Sequence, residues 1–136
     1  MVCLYCARPT QVKNSRLQKR TNTIWRRRSC FTCGAVFTTI ETPDLSATHV
    51  VRYKDGTHRP FSRDALYLSV AAALGHRPDA AELAGVLCGS IITRLVAEAA
   101  GAVLDVSSVV AVTTQTLQHF DAAAAVQYAA YHPIAL

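Results

Sequence analysis

Two C-x-x-C pairs constrain the start of this chain more than any other feature of its sequence. They give the pattern C-x2-C-x23-C-x2-C. A C-x-x-C turn brings two thiolates to one side of a tight knuckle, and two knuckles supply the four sulfurs of a tetrahedral Zn²⁺ site. Gly34, directly after the second pair, can adopt the positive φ that favours such a knuckle. The pattern predicts one structural zinc ion per chain, with a redox dithiol as the alternative. The expected ligands are Cys3, Cys6, Cys30 and Cys33.

The residues between and after the knuckles predict a small antiparallel sheet. Gln11–Leu17 and Thr23–Ser29 alternate well enough to be strands joined by a turn, and residues 36–40 make a third strand. This arrangement is a zinc ribbon, which we assign to residues 1–42. A segment of about 42 residues buries little apolar surface alone, so the metal is expected to drive its folding.

Positive charge is concentrated in the same segment. Residues 1–42 contain eight Lys or Arg and one acidic residue, a net charge of +7, whereas residues 43–136 carry −2. Arginine forks suit phosphates and the edge of guanine, and Trp25 beside them could stack on a base or anchor the sheet. A solvated basic face is the alternative, because charge alone does not exclude it. We expect the ribbon to bind nucleic acid. The candidate contacts are Lys13, Arg16, Arg26, Arg27 and Arg28.

A shift to Ala, Val and Leu marks a second module after a linker at residues 43–48. A β-hairpin is predicted at residues 49–61, with its turn at Asp55 and Gly56. Four helices are predicted after it, and a short tail follows at 132–136. A hairpin covered by four helices makes an α+β domain, assigned to residues 49–131. The expected helix starts are Ser62 as an N-cap, Pro78 and Asp79, Ser107 or Ser108, and Asp121.

Several functions lack support in the sequence. There is no G-x-x-x-x-G-K-[ST] or G-x-G-x-x-G motif for ATP hydrolysis, and the five histidines are dispersed, so we do not expect an enzyme. Cys88 lies near an apolar stripe and is expected to be a buried hydrophobe, not a fifth ligand. No window approaches 18 consecutive apolar residues, so no membrane span is expected. The first residues do not read as a secretory signal, so we expect the protein in the cytoplasm.

The order and spacing of several motifs resemble the NrdR family of bacterial transcriptional repressors. CLYC looks like the family's first knuckle, NSR like its D-S-R, and RRRSCFTCGAVFTTIE like its arginine run, second knuckle and F-T-T-x-E. VVRYKDGTHRPFSRDAL looks like the start of the family's ATP-cone, a nucleotide-sensing domain, and HFDAAAAVQYAAYH like its end. The resemblance covers nearly the whole chain.

The resemblance implies an adenine-nucleotide site for ATP or dATP in the second module. The cone's phosphate-binding lysine corresponds to Tyr53, with Lys54 at the following basic position. A later lysine corresponds to Ala65, and the glutamate before P-F to Arg59. The expected nucleotide-binding residues are Val51, Arg52, Tyr53, Lys54 and Ser62.

The implied function is repression of ribonucleotide reductase genes. Nucleotide binding to the cone would shift a homo-oligomer between forms that do and do not present paired ribbons to operator DNA. Two alternatives stay open at this point. One is an accessory protein that docks on ribonucleotide reductase, and the other is a DNA-binding oligomer that does not respond to nucleotides.

Overall fold

The computed structural model describes residues 1–133, which fall into two units. The first is Met1–Pro43, and the second begins at Asp44.

The first unit is a three-stranded antiparallel sheet with two cysteine knuckles at one end. Its strands are β1 (Thr10–Gln18), β2 (Thr23–Cys30) and β3 (Val36–Glu41), and β2 lies in the middle. The predicted zinc-ribbon sheet is therefore confirmed. One irregularity interrupts β1, because Val12 pairs with Arg28 while Asn14 pairs with Arg27. Lys13 is the extra residue of this β-bulge.

A small mixed sheet opens the second unit. Its strands are β4 (Val50–Arg52), β5 (His58–Pro60) and β6 (Val103–Asp105), in the order β5-β4-β6. The predicted hairpin is β4 and β5, closed at Gly56 with a φ of 82°. The sequence did not predict β6, which pairs in parallel with β4. The domain therefore contains a three-stranded sheet and not a hairpin alone.

Four helices complete the second unit: α1 (Arg63–Ala73), α2 (Ala80–Glu98), α3 (Val106–Phe120) and α4 (Ala122–Tyr131). The predicted N-cap Ser62 and the predicted helix start at Asp121 are confirmed, because Ser62 Oγ accepts from the Ala65 amide and Asp121 Oδ1 from the Ala124 amide, both at 3.1 Å. The predicted start of α3 was late. That helix begins directly after β6, one residue before Ser107.

All four helices contribute buried residues to the core of the second unit. Leu74, Ile91 and Leu117 are completely buried, and so is Cys88, as its apolar surroundings predicted. By length and composition α2 is apolar enough to cross a membrane. It packs against both α1 and α3, however, as the core helix of a globular domain does.

Candidate metal centre and nucleic-acid interface

Four cysteine sulfurs meet at one end of the ribbon. The Sγ atoms of Cys3, Cys6, Cys30 and Cys33 all lie within 4.8 Å of one another. The closest pairs are Cys3 with Cys33 at 3.6 Å and Cys6 with Cys30 at 3.5 Å. Zinc–sulfur bonds of about 2.3 Å in a tetrahedron place sulfurs about 3.8 Å apart. The cluster therefore has the size of a zinc site with four cysteine ligands.

The two knuckles have the same backbone design. In the first, the Ala7 amide donates to the Cys3 carbonyl at 3.1 Å, and in the second the Gly34 amide donates to the Cys30 carbonyl at 3.0 Å. Ala7 and Gly34 both have positive φ, at 56° and 73°. Each turn is closed by a left-handed residue directly after its second cysteine, as was predicted for Gly34.

Backbone amides inside the knuckles favour the thiolate form. The Cys33 amide is the main cause that lowers the pKa of Cys30 to about 6, and the Cys6 thiol and the Thr32 amide lower it further. The Tyr5 amide lies 3.5 Å from Cys3 Sγ, and it is the main cause that lowers the pKa of Cys3. Thiolates are the form that binds a metal.

The pKa values of the other two thiols, Cys6 and Cys33, are raised. Hydrogen bonds from the Arg8 and Ala35 amides lower the pKa of Cys6 and Cys33, but burial and neighbouring sulfurs outweigh them. The pKa of Cys6 rises to about 12, and that of Cys33 is also raised. A divalent cation shared by the four sulfurs offsets this repulsion, because a coordinating thiol loses its proton. Four protein ligands complete a tetrahedral site, so the cluster fits a structural zinc ion and not a catalytic one.

The alternation of β2 places the candidate DNA-binding arginines on two different faces of the sheet. Successive side chains of a strand point to opposite sides, and residues paired across strands share a side. Arg26 is paired with Ser15 and Thr39, and Arg27 with Asn14 and Thr38. Arg28 therefore shares the Arg26 face. Arg16, which is paired with Trp25, shares the Arg27 face.

Arg26 and Arg28 are engaged within the sheet. Arg26 donates to Glu41 Oε2 at 3.2 and 3.3 Å and to Ser15 Oγ at 3.1 Å. Arg28 Nε donates to Thr39 Oγ1 at 3.2 Å. Lys13, at the bulge, holds its ammonium 5.5 Å from the centre of the Phe31 ring.

The second unit contains a cavity of about 390 Å³ beside the hairpin turn. Tyr53 and Lys54, two of the expected nucleotide-binding residues, lie in its wall. The guanidinium of Arg59 stands over the Tyr53 ring at 4.9 Å. The lining residues are Tyr53, Lys54, Asp55, Val106, Ser107, Val110, His132 and Pro133.

The other three expected nucleotide-binding residues do not line this cavity. Val51 is buried at 9% exposure in the core, and Ser62 Oγ is occupied as the N-cap of α1. Arg52 forms two hydrogen bonds with Asp105, at 2.7 and 3.0 Å. The structure thus brings Tyr53 and Lys54 together at one opening, while the other three residues make structural contacts of their own.

Sequence reasoning missed the contribution of α3 to the cavity. Val106, Ser107 and Val110 come from the first turns of that helix, which follows β6 directly. The only signal is the triplet Val-Leu-Asp after Gly101, and three residues are too few to predict a strand. Because β6 pairs with β4 and α3 follows β6 directly, the start of α3 can be placed beside the hairpin only once β6 is known.

The paired knuckles, the four-cysteine cluster and the antiparallel sheet define the first unit as a zinc ribbon. Residues 1–41 match the family described as transcriptional repressor NrdR-like, N-terminal domain.

Similarity to curated relatives extends along most of the chain. A transcriptional repressor NrdR of Maricaulis maris is 36% identical over 135 residues, which cover 97% of this chain and 81% of the relative. A transcriptional repressor NrdR 3 of Paramagnetospirillum magneticum is 43% identical over 57% of this chain and 51% of its own length. A transcriptional repressor NrdR of Rhodospirillum centenum is 40% identical over 70% of this chain and 62% of its own. The chain belongs to the NrdR family.

Proposed function

We propose that this protein is a DNA-binding transcriptional repressor that controls ribonucleotide reductase genes. The observation that carries the proposal is membership of a family whose named relatives are transcriptional repressors, a non-enzymatic role. The ribbon supports it, because its net charge of +7 suits a polyanion and its cysteine cluster supplies a rigid scaffold. A repressor of this kind acts in the cytoplasm.

Operator binding by the full chain tests this function. Fluorescence anisotropy is measured without nucleotide, with ATP and with dATP, on labelled promoter DNA of the organism's own ribonucleotide reductase genes and on a scrambled duplex of equal length. A repressor binds the promoter at least about 10³-fold more tightly, the lower limit for specific sites. Equal affinity for both duplexes would remove these genes as the target, and no binding to either would remove DNA as the partner.

We further propose that the second unit is an ATP-cone-like domain, residues 49–131, that binds ATP or dATP at the cavity beside the hairpin turn. Its volume is within the usual range for small-molecule sites. Tyr53 offers a ring for adenine and Lys54 a positive charge in the same wall, and the Arg59 guanidinium lies 4.9 Å from the centre of the Tyr53 ring. The first turn of α3 lines the same cavity, and its N-cap Asp105 makes no side-chain capping hydrogen bond to the amides there, which suit an anion.

In this proposal Tyr53 and Lys54 are the principal contacts, and Val51, Arg52 and Ser62 support them indirectly. Val51 anchors β4 in the core, and Arg52 fixes β4 to the start of α3 through Asp105. Ser62 fixes the start of α1. Nucleotide binding would control DNA binding by favouring one form of a homo-oligomer over another, which requires different affinities for the two forms.

Calorimetry with ATP and with dATP tests the nucleotide site. Lys54→Ala should weaken binding, while Lys19→Ala is the matched control, because it removes the same side chain from the ribbon turn and leaves the cavity intact. Analytical ultracentrifugation with each nucleotide then reports the oligomer. If neither nucleotide binds at millimolar concentration, the domain is structural. If both bind without altering the oligomer or operator affinity, the sensing proposal fails although the site is real.

A further inference from the structure

The ribbon offers two chemically different faces to a DNA duplex. We call them the Arg26 face and the Arg27 face, after adjacent residues at the centre of β2. Strand pairing and alternation assign the central residues of each strand to one face or the other. The Arg26 face comprises Val12, Ser15, Leu17, Ile24, Arg26, Arg28, Phe37, Thr39 and Glu41. The Arg27 face comprises Gln11, Asn14, Arg16, Trp25, Arg27, Ser29, Val36, Thr38 and Ile40.

The charge on the Arg26 face is partly neutralised. Glu41 is the single acidic residue of the first 43, and its carboxylate accepts two hydrogen bonds from Arg26. The Arg26 side chain is only 29% exposed. A phosphate approaching this face would meet a carboxylate and would have to displace existing hydrogen bonds, both of which oppose binding.

The Arg27 face carries positive charge without an acidic residue. Arg16 and Arg27 are exposed, and among the described residues neither takes part in an ion pair or side-chain hydrogen bond. Asn14 and Thr38, on either side of Arg27, are exposed too and give a polar row across all three strands.

Two apolar side chains lie beside Arg16 in the next row of that face. Ile40 is 68% exposed and stands beside the half-buried Trp25. Apolar side chains of this kind suit thymine methyl groups and sugars, while Arg and Asn forks suit the edges of guanine and adenine. Positive charge, base-reading forks and apolar contacts together match a duplex groove and not a protein surface, and sheet strands can occupy such grooves.

We propose that the Arg27 face is the surface that contacts double-stranded DNA, with Arg27 and Asn14 at base edges and Arg16 at phosphates. The inference rests on the proposed DNA-binding function and adds the surface and the residue roles. Arg26 and Arg28 are positioning residues that hold the three strands in register through Ser15, Glu41 and Thr39.

Neighbouring arginines provide a matched pair of variants. Arg27→Ala and Arg26→Ala remove the same side chain from adjacent positions of one strand. Operator affinity, salt dependence and zinc content are measured for both in the full chain. Arg27→Ala should lose about tenfold or more in operator affinity, as expected for a base-reading arginine. Arg26→Ala should lose less than about threefold if it retains zinc, because its guanidinium is already satisfied within the sheet.

Two further variants separate the roles on the Arg27 face. Arg27→Lys retains the charge and loses the fork, so it should lower the ratio of operator to scrambled-DNA affinity. Arg16→Ala should weaken binding to the operator and to the scrambled duplex by the same factor. It should also reduce the slope of log affinity against log salt by about one.

The outcomes distinguish this inference from the function on which it rests. If Arg26→Ala, still folded with zinc bound, weakens operator binding as much as Arg27→Ala or more, the face assignment is overturned while DNA binding stands. If Arg27→Lys keeps full operator preference, Arg27 does not read bases and the inference is overturned. If a folded variant with Arg16, Arg26, Arg27 and Arg28 all changed to Ala binds operator like the parent, the DNA-binding function of the ribbon fails.

Discussion

Arg52 and Asp105 are 53 positions apart in the chain, and their side chains form a two-bond ion pair. Arg52 Nε donates to Oδ1 at 2.7 Å, and a second guanidinium nitrogen donates to Oδ2 at 3.0 Å. The pair connects β4 to the residue that precedes α3. Its hydrogen bonds lower the pKa of Asp105 and raise that of Arg52. It therefore fixes the hairpin against the helix whose first turn lines the cavity.

We expect Asp105→Asn to destabilise the second unit at neutral pH. Because the folded-state pKa of Asp105 is depressed, its contribution is present above the unfolded value of about 3.9. The contribution is lost as pH falls through the lower folded value, so the parent and the variant converge in acid. Urea unfolding at pH 7 and pH 3 measures this. Both side chains are about half exposed, so the effect is small.

A double-mutant cycle with Arg52→Met controls for other effects. If the pair acts as a unit, the double variant is hardly less stable than either single one. Full additivity of the two losses would show that the ion pair contributes nothing of its own.

Zinc analysis should find one ion per chain, and Cys30→Ser should lose it. Cys30 is 3% exposed, is one of the four clustered sulfurs, and has a pKa lowered to about 6. Loss of one ligand should unfold the ribbon, because metal binding supplies its folding free energy. Cys88→Ser is the control, since that thiol is buried in the second unit and should leave the zinc content unchanged. A Cys30→Ser protein that keeps metal and sheet would contradict the assignment.

Asp121 should make the second unit acid-sensitive. It accepts from the Ala124 amide at 3.1 Å and also contacts His76 and Arg77, and these contacts lower its pKa to about 2. Its stabilising effect is complete above about pH 4 and is lost as pH falls toward 2. Comparing Asp121→Ala with Asp121→Asn separates charge from capping, because Asn still accepts the amide. At pH 7, Asp121→Asn should therefore lower the free energy of unfolding less than Asp121→Ala does. Equal losses from the two variants would show that the cap bond contributes nothing.

Truncation of the core should unfold the second unit while the ribbon keeps its metal. Ile91 is completely buried in α2, and Ile91→Ala should cost about 2–5 kcal/mol of unfolding free energy. Val86 lies on the same helix at 60% exposure, so Val86→Ala should remain within about 0.5 kcal/mol of the parent. Circular dichroism follows the helices, and zinc content follows the ribbon. Loss of zinc in Ile91→Ala would contradict independent folding.

The sequence predicted the parts of the molecule that depend on local patterns. Cysteine spacing indicated the cluster, strand alternation indicated the ribbon, and Ser62 and Asp121 indicated two helix starts. Pairings between distant segments could not be read in this way. β6 is three residues long and is stabilised by a strand some fifty positions earlier, so neither length nor alternation distinguishes it. The ion pair of Arg52 with Asp105 could not be predicted either, because it depends on the pairing of β4 with β6.

The bulge at Lys13 determines which charges lie on which side of the ribbon. Val12 and Asn14 are two positions apart, as same-side residues normally are, yet the extra residue sends them to opposite faces. Regular pairing of every residue of β1 would instead set Asn14 against Arg26 and carry Arg16 to that side as well. Removing Lys13 alone would leave each later partner unchanged, because the deleted residue is the one that has no partner in the ladder. The bulge thus acts on β1 as a frameshift acts on a coding sequence, because every side chain after it points to the face opposite the one that regular pairing would give.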